Sequence, residues 1–197
     1  MPTAAQRGRA TRTQLMAAAV ALVGERGWGA VTTRMVAERA GLPSGLVHYH
    51  FESVNDLLID ATLDAARREA ARVLDGIATD STSAGIDRMI EAVSAYDVGN
   101  ASVMAFSEML LAATRYERLR AGLADILGEY RAALADWLAD RGTAIDPEAT
   151  AALMFSAFDG LVLHRLIDRR VRALAIGPAL RRLAGLPAEP GDERTTS

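Results

Sequence analysis

The chain has no cysteine among its 197 residues, so disulfide bonds and thiolate metal sites are excluded. It also lacks a glycine-rich phosphate loop, a His-Glu-x-x-His zinc motif and a serine in an elbow motif. His48 and His50 are two residues apart, about 200° around a helix, so they do not converge on one metal ion. We therefore expect no metal site and no cofactor, and an enzyme is the weakest hypothesis for the function.

Long apolar runs are also missing, and we find none that reaches the ~20 residues needed to span a bilayer. The start of the chain does not resemble a signal peptide, because Arg7, Arg9 and Arg12 precede a helix interrupted by Glu25 and Arg26. A reducing compartment suits a chain without cysteine. These features predict a cytoplasmic protein with no membrane partner.

Charge is unevenly distributed along the chain, although the net charge is only −3. Residues 1–50 hold six arginines against two glutamates, a local charge of +4, and residues 51–197 hold 16 arginines against 23 acids, a local charge of −7. A basic head on an acidic body steers the head toward nucleic acid. Ordinary scatter of surface charge explains the asymmetry about equally well.

Apolar residues recur with helical spacing in every long segment, and no strand-like alternation is found. The fold class is therefore predicted to be all-α, with about nine helices. We expect a three-helix domain over residues 1–55, a larger helical domain over 56–186, and a disordered tail over 187–197.

Residues 32–58 carry the most informative pattern, two short helices joined by a tight turn. Thr32 is suited to cap the first helix, and Gly41 to reverse the chain at positive φ. The second helix, from Ser44 to His50, has too little apolar surface to be buried on all sides. Such a helix resembles the recognition helix of a helix-turn-helix protein, which enters the DNA major groove.

This segment resembles the DNA-binding part of the tetracycline-repressor (TetR) family of bacterial regulators. The matching motifs are Thr32, Val36-Ala37, Ala40-Gly41-Leu42 and His48-Tyr49-His50-Phe51, preceded by a helix that ends at Gly27-Trp28. The resemblance is specific over about residues 9–60. The chain departs from the family at Val54, where a lysine is usual, and at Leu46, where a threonine is frequent; both usual residues contact phosphate.

Phosphate contacts are therefore expected from Arg7, Arg9 and Arg12 in an N-terminal arm and from Arg34. An arginine at a groove edge can also pair with guanine, and Ser or His can bond base edges. The predicted DNA-binding residues are Arg9, Arg12, Thr33, Arg34, Ser44, Gly45, His48, Tyr49 and His50. The alternative is that some of these side chains only pack or cap.

The helix after Asp146-Pro147 is apolar on nearly every face, so it needs a partner on two sides. Its small residues would let a second backbone approach. We predict a homodimer packed through the eighth and ninth helices, as the resemblance also implies, with an interface that contains Ala152, Ser156, Gly160, Leu163 and Ile167. The alternative is a central core helix in a monomer.

An effector site inside the body is predicted around adaptable and aromatic side chains, namely Met89, Met104, Met109, Phe155 and Phe158, although core packing is the better explanation for each alone. The resemblance implies a regulator, more often a repressor, that binds a near-palindromic double-stranded DNA operator as a dimer and is released by a small-molecule effector. The alternative function is a helical small-molecule binding or sensor protein of the same fold with weak or lost DNA binding.

Overall fold

The computed structural model describes residues 3–95, 101–142 and 146–187, and within these ranges the chain is helical with no strand. The predicted all-α class is confirmed. Nine α-helices follow one another: α1 Ala4–Arg26, α2 Thr33–Ala40, α3 Gly45–His50, α4 Val54–Ile77, α5 Thr82–Ala95, α6 Ala101–Ala113, α7 Glu117–Ala139, α8 Pro147–Ile167 and α9 Gly177–Leu183. Two 3₁₀ segments, Trp28–Ala30 and Arg169–Ala173, lie between helices.

Helix ends lie where the capping residues predict them. The Thr32 hydroxyl accepts the backbone N–H of the third residue of α2, and Gly41 ends that helix in the left-handed conformation at φ 66°. Ser53 accepts from the N–H of Asp56 at 3.1 Å, and Asp146 caps α8 in the same way. Local hydrogen-bond chemistry therefore sets these boundaries.

The chain forms two compact units. The first unit consists of the described residues up to Arg68 together with Ala101–Ala124, and the second unit of the remaining described residues. Two helices, α4 and α7, contribute residues to both units. The division into domains at residue 55 stays a prediction. The predicted tail lies, apart from Pro187, outside the described residues.

In the first unit, α1 packs against α2 and α6. A Cβ built on Gly24 would lie 2.3 Å from the carbonyl oxygen of Ala101, so only glycine permits this approach of the two helices. The buried side chains come from α1, α2, α3, α4, α6 and α7, among them Leu15, Val36, Val47, Leu57, Val103 and Leu119.

In the second unit, α5 packs against α8 and α9. Its core cluster consists of Ile77, Ile86, Met89, Leu134, Trp137, Leu138, Ala151, Met154 and Ala184. The indole Nε1 of Trp137 donates to the carbonyl oxygen of Ile77 at 2.9 Å. That carbonyl belongs to the last residue of α4 and also accepts the backbone N–H of Asp80 at 3.0 Å, so the indole is its second donor.

The structure corrects one sequence-based expectation, the N-terminal arm. Helix α1 begins at Ala4 behind a capping box between Thr3 and Gln6. It contains Arg7, Arg9 and Arg12, which therefore do not form a separate arm.

The 21-residue α8 is long and apolar enough, by length and composition, to cross a membrane. Core helices pass the same test, so this finding is weak support for a membrane span.

Candidate nucleic-acid interface

A few buried apolar side chains hold helices α2 and α3 in place. Val36, Ala37 and Ala40 bury one side of α2, and Val47, which has no exposed surface, holds α3. Because α3 is short and Val47 is its one buried residue, most of its other side chains are open to solvent. Tyr49 is 79% exposed, the largest exposed fraction among the aromatic side chains of the described residues.

The predicted residues of α3 share this open surface. Ser44, Gly45 and His48 are exposed, and a Cβ on Gly45 would meet nothing within 4 Å. His50 is half-buried and meets Tyr49 edge to face, with the ring centroids 4.9 Å apart. We call these five residues, Ser44, Gly45, His48, Tyr49 and His50, the α3 surface. It offers hydroxyl, imidazole and phenol groups, which suit base edges and phosphate.

The first turns of α1 approach the end of α3. A Cβ added to Gly8 would lie 4.0 Å from the Cε1 atom of His50. Arg7 and Arg9, which flank Gly8, are exposed, and no ion pair joins either of them to another described residue. Two available cations therefore lie in the part of α1 that comes nearest to the α3 surface.

On α2, Thr33 is half-buried and Arg34 is exposed. The Nε atom of Arg34 donates to Glu38 at 2.8 Å, one turn along the helix, and this hydrogen bond raises the pKa of the guanidinium. Exposed pairs of this kind contribute little stability, because water screens them. A phosphate or a guanine could therefore replace Glu38 as the partner of Arg34 at small cost.

Arg12 differs from Arg9, because it is held inside the first unit. It donates to Asp60 of α4 at 2.5 Å and to the sulfur of Met16, and its guanidinium lies 5.0 Å from the ring centroid of Phe51. Arg118 of α7 binds the same Asp60. Sequence reasoning could not find this pairing, because the two residues are 48 positions apart. The prediction of Arg12 as a DNA contact is untested.

The five effector candidates are divided between the two units. Met104 and Met109 are on α6 in the first unit. Met89 and Phe158 belong to the core of the second unit, and the ring of Phe155 packs edge to face on Tyr130 of the same unit.

The five interface candidates on α8 line one side of the helix that stays largely uncovered in the single chain. Ser156 and Ile167 are exposed, Ala152 and Leu163 are half-buried, and Gly160 has open space where a Cβ would be. Asp159 lies beside this side, and burial raises the pKa of its carboxyl to about 6.

Sequence reasoning missed two buried arginines in the second unit, Arg165 of α8 and Arg181 of α9. The available signal was an arginine between apolar residues, Leu163-His164-Arg165-Leu166-Ile167. A charged residue inside an apolar run is unusual, since charged side chains are rarely buried without a partner.

Comparison with known proteins places the chain among bacterial regulators. Residues 15–61 match the model for bacterial regulatory proteins of the tetR family, and residues 79–186 match the model for the tetracyclin repressor-like C-terminal domain. A curated relative is an uncharacterised HTH-type transcriptional regulator of Mycobacterium tuberculosis, 25% identical over 169 residues, which are 83% of this chain and 86% of that protein.

Solved structures share the fold. A TetR transcription regulator from Haloarcula marismortui superposes with a TM-score of 0.73 at 18% identity, covering 89% of this chain and 97% of that one. A protein described as a transcriptional regulator from Saccharomonospora viridis, in complex with choline, gives a TM-score of 0.71 at 17% identity, covering 84% and 93%. At these identities the likeness concerns the fold alone.

Proposed function

Because the chain belongs to the TetR family of transcriptional regulators, we propose that it represses transcription as a homodimer on a near-palindromic DNA operator and is released by a small-molecule effector. The family consists of regulators and not of enzymes, so we assign no catalytic residue. We also propose that the protein acts in the cytoplasm.

The exposed α3 carries the DNA-binding part of this proposal. A short helix that buries only Val47 and leaves Tyr49 open has the form of a recognition helix. Arg34 and the α3 surface would contact bases and phosphates. Among the cations of α1, we propose Arg9 as a phosphate contact, and we propose that Arg12 positions α4 through Asp60.

The open side of α8 supports the dimer. Ile167 is 86% exposed and Leu153 is also exposed, although apolar side chains of this size gain free energy when they leave water. Gly160 would allow the two copies of α8 to approach closely. A two-fold axis here would present two recognition helices about one DNA turn apart, ~34–36 Å.

Effector control is proposed for the second unit, where Met89, Phe155 and Phe158 lie. The choline complex of the Saccharomonospora viridis protein is consistent with ligand binding on this fold. Helix α4 gives residues to both units, so a ligand that favours one position of α4 would alter the spacing of the recognition helices. DNA and effector affinities would then be reciprocally coupled.

The test is binding of labelled DNA from around the gene, measured by fluorescence anisotropy at ~50 and ~200 mM salt. We expect one fragment to bind in preference to random DNA. Tyr49→Ala should weaken that binding about ten-fold, and Arg34→Ala should also reduce the preference for that fragment over other sequences. Leu111→Ala, which truncates another exposed apolar side chain of the first unit, serves as the control and should bind as the wild type does.

The alternative, a sensor protein without DNA binding, draws support from Val54 and Leu46 and from the internal pairing of Arg12. The absence of any sequence preference at low salt would favour that alternative over the proposed regulator.

A further inference from the structure

Arg165 on α8 is a buried cation with an incomplete set of partners. Its residue surface is 6% exposed. Within the described part of the chain it makes one hydrogen bond, from Nη1 to the carbonyl oxygen of Val93 at 2.8 Å. Its Nε atom is buried and has no hydrogen-bond partner there. Guanidinium carries five N–H donors, so most of its hydrogen-bonding capacity is unused.

Arg181 on α9 shows how the same unit treats a buried arginine that has a structural role. It is 4% exposed, and it donates to Asp87 at 2.6 Å, to the hydroxyl of Ser83 at 2.9 Å and to the carbonyl oxygen of Pro187 at 2.9 Å. Its charge is neutralised by a carboxylate and each of its three nitrogens has a partner. Arg165 and Arg181 are buried to a similar extent, so they differ in whether a carboxylate pairs with the guanidinium.

The acids nearest to Arg165 in sequence on its own helix do not supply that charge. Asp168, which caps the C-terminus of α8 one turn later, is bound by Arg170 through both carboxylate oxygens. Asp159, six residues earlier, is about 240° away around the helix and so on another side. Among the described residues, no carboxylate forms an ion pair with Arg165.

An unpaired buried charge costs several kcal/mol, and a ligand that carries the opposite charge would offset this cost. We propose that Arg165 binds the carboxylate group of an anionic ligand in the second unit, with Nε as one of the donors. This inference rests on the proposed function in one respect, because the ligand bound by Arg165 would be the effector of the proposed regulator. Arginine fits a carboxylate because two parallel N–H donors match its two oxygens.

The surroundings favour an apolar remainder of the ligand. Val93, whose carbonyl holds the guanidinium, is buried, and Met89 lies one turn before it on α5. Phe158 lies two turns before Arg165 on the same side of α8 and packs against the core cluster. An aliphatic or aromatic carboxylate therefore fits better than a small inorganic anion.

The experiment measures binding to the free protein by calorimetry, without DNA. The probes are straight-chain carboxylates from acetate to decanoate, the matching primary alcohols, and inorganic phosphate. We expect at least one longer carboxylate to bind the wild type, and to bind Arg165→Met at least ~10-fold more weakly. The alcohols should not distinguish the two proteins. Arg182→Met, which removes an exposed arginine of the same unit, is the control and should bind as the wild type does.

Stability gives a second measurement on the ligand-free protein. Arg165→Met should melt at or above the temperature of the wild type, because it removes an uncompensated buried charge, whereas Arg181→Met should melt well below it. If Arg165→Met loses as much stability as Arg181→Met, or does not fold, an internal counter-charge exists and the inference is overturned.

A third measurement uses the unmodified protein. The Nε–Hε resonance of Arg165, assigned by its absence in Arg165→Lys, should shift on titration with a carboxylate. An unchanged resonance, equal affinity of wild type and Arg165→Met, or tighter binding of phosphate than of every carboxylate would each overturn the inference.

Failure of the two proposals can be told apart. Carboxylate binding through Arg165 without any operator preference would refute the regulator and leave this site intact. Operator binding without Arg165-dependent carboxylate binding would refute the site and leave the regulator intact.

Discussion

Gly85 of α5 provides a sharp test of how tightly the second unit is packed. A Cβ built there would lie 2.5 Å from Cζ2 and 2.8 Å from Cη2 of Trp137. Carbon atoms that are not bonded normally approach to about 3.5–4.0 Å, so Gly85→Ala requires the indole or the helix to move by about 1 Å. The indole is restrained, because its Nε1 donates to Ile77 and the guanidinium of Arg141 lies 4.5 Å from its ring centroid.

The expected magnitude follows from two opposed effects. Forcing a methyl group into a filled core costs about 1–3 kcal/mol, and alanine in place of glycine inside a helix gains about 0.5–1 kcal/mol. We expect Gly85→Ala to lower the free energy of unfolding by about 1–2 kcal/mol, which lowers the melting temperature by ~2–8 °C in a chain of this length. Gly128→Ala on α7 is the matched control. Its added Cβ meets only Arg131, at 4.0 Å, so it should stabilise the protein.

Urea denaturation followed by circular dichroism measures the free energy of unfolding of both variants. Combining Gly85→Ala with Trp137→Phe measures the energetic coupling between the two positions. If the steric explanation holds, Gly85→Ala costs less in the Trp137→Phe background than in the wild type. Equal stability of Gly85→Ala and Gly128→Ala would refute the reasoning, because the close approach of Gly85 and Trp137 would then have no energetic consequence.

Three further outcomes are expected. Arg12→Met should lower the free energy of unfolding by ~1 kcal/mol and leave the salt dependence of DNA binding unchanged. Arg9→Met should reduce the slope of log affinity against log salt by ~1 without destabilising the fold. If Arg12→Met changes the salt slope and Arg9→Met lowers the stability, the two roles are the reverse of those proposed. Ile167→Glu should shift the dimer to monomer in sedimentation, and Leu111→Glu should not; a dimer that survives both places the interface elsewhere. The pKa of Asp159, about 6 against 3.8 for an ordinary aspartate, means that the folded state binds the proton more tightly. Stability therefore falls as the pH rises from about 4 to about 6, and Asp159→Asn should remove that part of the decline, with a melting temperature that rises above that of the wild type at pH ~7 but not at pH ~4.

Short-range patterns explain why much of the fold was predictable. Thr32, Gly41, Ser53 and Asp146 act within four residues of themselves, so their hydrogen bonds can be read from the chain. Apolar residues at helical spacing predicted an all-α fold of about nine helices, and the described residues form nine α-helices.

Long-range pairing explains what was missed. The arm was inferred because the phosphate-contact residues usual in the family are missing at Val54 and Leu46. In the structure Thr3 and Gln6 close a capping box at the start of α1, and Arg12 reaches Asp60. Charge counting could not reveal that pair. The effector candidates were chosen by residue type, and type does not distinguish Met104 in the first unit from Met89 in the second.

The burial and the ion-pair partner of each arginine, rather than the number of arginines, relate this structure to its proposed function. Arg34 is exposed and weakly paired, so DNA can replace its partner, whereas Arg12 is fixed by α4. Arg181 is buried with a carboxylate, and Arg165 is buried without one. Four identical side chains thus have four different electrostatic environments, and only two of them leave a cation available for a partner outside the chain. Those two lie in different compact units. In the proposed ligand-responsive regulator, Arg34 would bind a polyanion and Arg165 a single carboxylate.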